Sequence, residues 1–308
     1  MVFHQFPDLQ WLKNQAETSF QNRKAWHGRT LPSTGWPSVV MNVKTSQTFR
    51  DNIRGPLSLF ANVTGSSLVH IGSKVTKVND RFFFVSNQDQ HYTLEVNPRQ
   101  KTETINIHFG EYWADQVLRT LTASHETLLD EGIFTTPHCR LELHNKLYER
   151  TGSLNRLLLE LKDSEGDALK EEEKLYDVLV QLIAQARNDR KIEATLPSVK
   201  NATRKEIFRR LSDATDYIYS NPQNEISLDD LARISCLSKF HFLRLFKTAF
   251  GKTPHQFVTE VKIGQATSLL ISTKLEVQSI AKELGFKDSS TFSRLYFNRT
   301  GRYPSQIR

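Results

Sequence analysis

Two arginines near the carboxyl end, Arg244 and Arg294, lie 50 residues apart in segments that resemble each other. A guanidinium group is planar and can donate two parallel hydrogen bonds to guanine O6 and N7, or bind a phosphate. A single exposed arginine is most often only solvated. Two arginines at equivalent places in two related segments indicate a shared role in binding an anionic partner such as nucleic acid.

The neighbours of each arginine suit the same partner. When each segment is drawn as a helix, the large apolar residues fall on one side and leave a second face that is basic or hydroxyl-rich. Short hydroxyls and an arginine near the start of a helix are suited to base edges and phosphates. The residues predicted to contact DNA are Lys239, Phe240, Leu243, Arg244, Lys247, Ser289, Ser290, Thr291 and Arg294.

Histidine is the other side chain with obvious chemistry, because imidazole is the commonest metal ligand. His70, His91 and His108 lie on separate predicted strands, and no H-x-H pair occurs. The chain also lacks G-x-S-x-G, H-E-x-x-H and a phosphate-binding glycine loop. We therefore expect no metal, no cofactor and no catalytic site.

Aromatic residues in the first 120 positions offer surfaces on which a small ligand could stack. The candidates are Trp36, Phe84 and His91. Packing in the core is the alternative for each of them, and the sequence leaves both open.

Each of the two arginines belongs to a unit of two helices joined by a tight turn. Identical residues recur 50 positions apart and one alanine pair recurs at 49, so one unit is used twice. Ser227 and Ser238 are expected to cap the helices of the first copy, and Asp288 or Ser289 the second helix of the second copy. Two helices and a short turn are typical of a helix-turn-helix. The identical pairs are Phe242/Phe292, Arg244/Arg294, Leu245/Leu295, Gly251/Gly301 and Pro254/Pro304.

The segment between the copies, residues 254–272, predicts one helix with Pro254 in its first turn. At about 1.5 Å per residue, this helix is about 28 Å long. One turn of DNA is about 34 Å, so the connector predicts that both second helices reach successive grooves on one face of the duplex.

Residues 36–110 contain short apolar and β-branched runs separated by polar or glycine-containing breaks. This spacing predicts an antiparallel barrel or sandwich, and no helix-length segment is present for a parallel sheet. After Gly110 the period changes, and helices are predicted near 111–131, 140–162 and 168–190. The strand-like runs are 38–44, 55–63, 67–72, 81–86, 91–96 and 102–109.

The third of these helices carries one continuous apolar stripe. Such a stripe is covered either by the core of the same chain or by a second copy in a dimer, and the sequence leaves both open. The stripe consists of Leu175, Val178, Leu179, Leu182, Ile183 and Ala186.

The positive charge is concentrated in the last third. Residues 204–308 contain 17 Lys and Arg against 10 Asp and Glu, whereas residues 1–203 contain 24 of each. A local excess of this kind favours a polyanion, nucleic acid before membrane. Two distant cysteines exclude a disulfide framework and suit a reducing cytoplasm. No apolar stretch approaches the roughly 20 residues of a membrane span.

The last third resembles the DNA-binding domain of the AraC/XylS family of bacterial transcription factors over about 100 residues. The resemblance rests on Gly285-Phe286, the R-L-F-K run at 244–247 and the G-x-x-P of 301–304. It implies base contacts from most of the outer-face residues. Three positions depart from the family pattern: Leu243 stands where a polar residue is common, Phe297 where lysine is usual, and Lys262 where arginine is frequent.

The resemblance also implies a companion domain with a cupin-like antiparallel β-barrel, a small-molecule pocket and helices that dimerise. We therefore expect an α+β protein in which an all-α domain of two helix-turn-helix units follows the barrel and its helices. The expected regions are a sensor barrel at 1–110, a dimerisation region at 111–190, a linker at 191–203 and a DNA-binding domain at 204–308.

The resulting hypothesis is a cytoplasmic, sequence-specific transcription regulator that is not an enzyme. Its expected partners are double-stranded DNA, RNA polymerase, a second copy of the chain, and an effector that is a sugar or an aromatic or organic acid. No membrane partner is expected. Two alternatives stay open: a cupin-type metalloenzyme with an accessory helical domain, and an adaptor whose helix-turn-helix units bind protein partners.

Overall fold

The structure is a computed structural model in which the chain divides into two compact units, Met1–Arg190 and Lys191–Arg308. The first unit combines strands and helices, and the second is helical. The mixed α+β class is therefore confirmed. The residues that the structure describes are 2–25, 38–97, 101–110, 113–124, 140–164, 167–198 and 200–307.

The strands of the first unit form two sheets. The strands are β1 (Val2–Phe3), β2 (Val39–Thr45), β3 (Thr48–Arg54), β4 (Ser58–Thr64), β5 (Ser67–Ile71), β6 (Lys74–Val78), β7 (Phe82–Ser86), β8 (His91–Val96), β9 (Thr102–His108) and β10 (Leu147–Glu149). One sheet has the order β1-β2-β9-β4-β7-β10 and the other β3-β8-β5-β6. Only β1 pairs in parallel, with β2, among the described strand pairs.

The expected closed barrel is not seen in the described part of the chain, where both sheets remain open. The edges of the larger sheet explain this, because β1 has two residues and β10 has three. Strands this short offer too few backbone groups for a ladder that would join the sheets.

One face of the larger sheet is covered by helices. These helices are α2 (Trp113–Thr122), α3 (Gly152–Lys162) and α4 (Ala168–Thr195). The helix α1 (Leu9–Ala25) precedes them in the chain. Every residue of the apolar stripe on α4 is buried in the cluster that this face forms. The stripe is therefore core within the chain, and it does not provide the dimer interface considered from the sequence.

The opposite face of the larger sheet packs against the smaller sheet. The ring centroids of Phe60 on β4 and Tyr92 on β8 are 4.9 Å apart. The side-chain amide of Asn62 donates to Val78 O, on β6 of the other sheet, at 2.9 Å. This interior is partly polar, since His108 is buried and its Nδ1 lies 2.8 Å from Ser58 Oγ.

Three segments differ from the sequence predictions. Part of the helix predicted over 140–162 is strand β10, because Tyr148 stacks on Phe83 of β7 with centroids 5.2 Å apart. Strands β3 and β6 were not predicted, since lysine, arginine and aspartate interrupt their apolar pattern. The predicted linker at 191–203 is mostly helical: α4 continues to Thr195 and the next helix begins at Asn201.

The second unit contains six helices among its described residues. They are α5 (Asn201–Ser220), α6 (Leu228–Ile234), α7 (Lys239–Phe250), α8 (Pro254–Ser272), α9 (Val277–Glu283) and α10 (Ser289–Thr300), followed by a short 3₁₀ turn at Pro304–Gln306. The connector helix predicted over 254–272 is confirmed as α8. No helix among the described residues is long and apolar enough to span a membrane.

Candidate nucleic-acid interface

The helix pairs α6–α7 and α9–α10 have the same turn geometry. Cys236 and Gly285 both adopt a left-handed backbone, with φ of 50° and 71°. The next amide closes the turn in each copy: Leu237 donates to Ala232 O at 3.0 Å, and Phe286 donates to Ala281 O at 2.9 Å. The helix-turn-helix repeat inferred from the sequence is therefore present in the backbone.

The second helices of the two pairs, α7 and α10, also match each other. Each has 12 residues and ends at a left-handed glycine, Gly251 or Gly301. Their starts differ. Asp288 accepts from the Thr291 amide at 2.6 Å, which lowers the pKa of the Asp288 carboxyl. Ser238 occupies the corresponding position of α7, but its side chain makes no capping hydrogen bond, contrary to the prediction.

The capping predicted for the first helix of the first copy is confirmed. Ser227 Oγ accepts from the Asp230 amide at 3.1 Å, and Asp230 accepts from the Ser227 amide at 3.3 Å. This reciprocal pair satisfies two amides that a helix start leaves without intrahelical partners. It therefore stabilises the start of α6.

The apolar sides of α7 and α10 form two separate cores. Phe242, Leu245 and Phe246 are fully buried in the first core, as are Phe292 and Tyr296 in the second. Burial of these rings fixes the rotation of each helix about its axis. As a result, the opposite face of each helix is directed to solvent.

The outer faces contain the residues predicted to contact DNA. Eight of the nine are exposed, and Ser289 is half-buried. Lys239 forms an ion pair with Asp229 of α6 at 2.5 Å. Thr291 Oγ1 donates to Asp288 Oδ2 at 2.8 Å and so serves the helix cap.

Three basic residues of these faces differ from Lys239 in having no ion-paired acidic partner among the described residues. Arg244, Lys247 and Arg294 form no ion pair with a carboxylate among the residues that the structure describes. All three side chains are exposed. They are therefore available to an external anion, whereas Lys239 has to leave Asp229 to bind one.

Helix α8 connects the two cores. Its first half contributes Val261 to the core of the first copy, and its second half contributes Ile263 and Ala266 to the core of the second. Lys262, between them, donates to Leu284 O at the end of α9 at 2.9 Å, and burial lowers its pKa. The two helix-turn-helix copies are thus held by one continuous helix.

Three residues of this region were missed by sequence reasoning. Asp229 pairs with Lys239, and Lys262 binds the carbonyl of Leu284, a contact that its difference from the family pattern does not indicate. Ser293 lies half-buried on α10, 50 residues after Leu243. Applying the repeat offset to every outer-face residue of α7 would have identified Ser293.

The effector candidates of the first unit are dispersed. Trp36 lies outside the described residues. Phe84 is fully buried, and His91 is exposed with its Nδ1 2.9 Å from Asn52 Oδ1. His70 contacts Glu95 at 3.2 Å, so the strand histidines of the described residues do not converge.

Comparison with known proteins matches the second unit. Residues 231–308 match a family described as a helix-turn-helix domain. The MmsAB operon regulatory protein of Pseudomonas aeruginosa is 36% identical over 92 residues, which are 30% of this chain and 30% of that protein. The lactose operon transcription activator of Staphylococcus xylosus is 31% identical over 84 residues, 27% of this chain and 30% of that protein. The chain thus spans about a third of the length of the curated relatives it matches.

Among solved structures, a transcriptional regulator with an AraC-type DNA-binding domain from Chromobacterium violaceum is 28% identical. The match covers 32% of this chain and 88% of that chain, with a TM-score of 0.31. The fold and the family match define the second unit as a tandem helix-turn-helix domain. Within that class, the resemblance to the AraC/XylS family is confirmed for the last third of the chain.

Proposed function

We propose that this protein is a sequence-specific DNA-binding transcription regulator. The observation that carries the proposal is the pair of matched 12-residue helices with exposed Arg244 and Arg294 at equivalent positions. The 19 residues of α8 give a helix of about 28 Å, which suits two helices that enter grooves about 34 Å apart. The operon regulators among the relatives support the same function.

The proposed roles follow from side-chain chemistry. Arg244 and Arg294 donate paired hydrogen bonds to guanine, and Lys239 and Lys247 bind phosphates. The remaining proposed contacts to base edges come from Phe240, Leu243, Ser289, Ser290 and Thr291. Arginine and hydroxyl groups make these contacts sequence-dependent, whereas lysine contacts to the backbone add affinity on any sequence.

We propose that the first unit binds a small-molecule effector, a sugar or an aromatic or organic acid, in the place of the cupin-like sensor that the family resemblance implies. Its interior offers polar groups: Ser86 Oγ and Asn106 Nδ2 have no hydrogen-bond partner among the described residues, and His108 lies beside Ser58. An effector acts only by binding two states with different affinity. We further propose a cytoplasmic homodimer that contacts RNA polymerase.

The test is selection of duplexes from a random DNA library with the full chain, with and without candidate sugars and aromatic acids. Fluorescence anisotropy then measures affinity for the selected site and for unrelated DNA. Arg294→Ala is expected to weaken binding to the selected site by about 1–3 kcal/mol and to relax one base position, with little loss on unrelated DNA.

Arg299→Ala is the matched control, because Arg299 is on the same helix and contacts Glu260 at 3.4 Å. Equal losses on all sequences for Arg294→Ala contradict base recognition. Salt-insensitive binding to a protein supports the adaptor alternative, and stoichiometric iron, zinc or manganese in the purified protein supports the metalloenzyme alternative.

A further inference from the structure

Helices α7 and α10, the two recognition helices of the proposed DNA-binding domain, differ in chemistry at matched positions. The 50-residue offset that pairs Arg244 with Arg294 also pairs Phe240 with Ser290. It pairs Leu243 with Ser293 in the same way. Since the two helices have the same length and the same glycine end, these pairs occupy equivalent places on the outer faces.

The apolar pair on α7 is open to solvent. Phe240 is 87% exposed and Leu243 is 36% exposed, although Phe242 and Phe246 of the same helix are fully buried. Residues three apart on a helix are neighbours on one face. Phe240 and Leu243 therefore form one apolar patch that the core of this unit does not use and that gains free energy when it is covered.

Cations border this patch. Arg244 and Lys247 follow Phe240 by four and seven residues, and neither is paired with a carboxylate within the described part of the chain. The patch thus fits a partner that carries negative charge and also presents an apolar group at a defined distance from it. The major groove of DNA has both features, since phosphates line it and each thymine presents a 5-methyl group.

At the two matched positions, α10 has serines instead of apolar residues. Its exposed aromatic side chain, Phe297, occupies the position of Lys247 and stacks on Tyr303 with ring centroids 4.6 Å apart. Ser290 and Ser293 carry hydroxyls, each of which can donate one hydrogen bond and accept up to two. Such groups contact base edges, but they do not distinguish a methyl group from a hydrogen by packing.

We propose that the DNA site of this protein is chemically asymmetric. The half that faces α7 contains at least one thymine whose 5-methyl group packs on Phe240 and Leu243. The half that faces α10 is recognised through hydrogen bonds from Ser290, Ser293 and Arg294. This inference rests on the proposed function.

The experiment uses the full chain and the duplex obtained by library selection. Each thymine is replaced singly by deoxyuridine, which removes the methyl group and keeps every hydrogen-bonding group of the base. One or two positions in one half of the site are expected to lose about fourfold in affinity, the value for one buried carbon. No position in the other half is expected to change.

The variant Phe240→Ser/Leu243→Ser gives α7 the side chains of α10 at these positions. Its affinity is expected to be the same for thymine and deoxyuridine at the sensitive positions. Ile271→Ser is the control, because Ile271 is 70% exposed on α8 and outside both recognition helices. Binding to unrelated DNA reports whether each variant is folded.

The outcomes are distinguishable. A duplex that is bound specifically but shows no deoxyuridine effect overturns the asymmetric site and leaves the proposed function standing. A deoxyuridine effect that persists in the double variant also overturns it, because other residues then contact the methyl group. Absence of any sequence preference overturns the proposed function itself.

Discussion

At the scale of single residues, His108 is a titratable group that the fold removes from water. It is buried between the sheets, next to Ser58 and with the ring of Tyr92 at 6.3 Å. Burial lowers the pKa of His108 to about 4. An unfolded histidine titrates near 6.5, so between about pH 6.5 and 4 the unfolded chain binds a proton that the folded chain does not.

Stability of the first unit is therefore expected to fall as the pH decreases through this window. His108→Gln removes the titrating group, and the acid-induced loss should shrink by about 3 kcal/mol between pH 6.5 and 4. Urea unfolding followed by tryptophan fluorescence measures it, because all four tryptophans lie before residue 114, in the first unit. His91→Gln, at an exposed position, is the control. An unchanged pH dependence in His108→Gln would show that other groups cause the loss.

At the scale of elements, two glycines of the helix-turn-helix units have a left-handed backbone, but they differ in how closely other atoms pack against them. A Cβ added to Gly285 would lie 2.4 Å from Gln223 O, in the loop before α6. Gly251, at the end of α7, has a similar φ of 69° and no atom within 4 Å of an added Cβ. At Gly285 a side chain is excluded both by the left-handed backbone and by lack of space. At Gly251 only the left-handed backbone disfavours a side chain.

Gly251→Ala is expected to cost about 1–2 kcal/mol, the penalty of a left-handed backbone for a residue with a Cβ. Gly285→Ala should cost about 1–3 kcal/mol more, because the Gln223 carbonyl has to move. Amide hydrogen exchange of peptides from α5 to α10, read by mass spectrometry, measures both losses in the full chain. Equal losses of stability in the two variants would mean that the loop containing Gln223 moves away from the new Cβ at no cost in free energy.

At the scale of the whole molecule, the excess of positive charge is confined to the carboxyl-terminal part of the chain. The net charge of +7 lies in residues 204–308, and some of the 17 basic residues there form ion pairs with carboxylates of the same unit. Arg209, for example, contacts Glu206 at 2.8 Å and Asp213 at 2.9 Å, and its hydrogen bonds, with those of Arg210, lower the pKa of Glu206 to about 2. Cations without such partners, such as Lys247, are those expected to displace counterions from DNA.

The affinity of the full chain for DNA is therefore expected to fall linearly on a plot of log K against log salt concentration. Lys247→Ala should reduce the slope by about 1, equally for the selected site and for unrelated DNA. Arg209→Ala removes the same charge from an internal ion pair and should leave the slope unchanged. If both variants shift the slope equally, net charge rather than the outer face of α7 governs the binding.

Much of the second unit follows from sequence alone. The connector was predicted at its observed limits, Pro254–Ser272, and the buried sides of α7 and α10 were assigned correctly at Phe242 and Phe292. Local signals are sufficient here, because helical period, capping residues and turn glycines all act within a few residues. Because the unit is duplicated, the same pattern occurs twice in the sequence. The assignment of helices in one copy therefore supports the assignment in the other.

The first unit depended on contacts between residues far apart in the chain. The pairing of β10 with β7 brings Tyr148 to Phe83 across more than 60 residues, and no local pattern specifies it. The apolar stripe of α4 has the same sequence whether a sheet or a second chain covers it; only the tertiary structure shows that the sheet does. The sequence by itself thus determined the repeat, its helices and the charge that they carry. The tertiary structure decided which apolar faces are covered and which cations are paired, because burial and ion pairing depend on which distant segments meet.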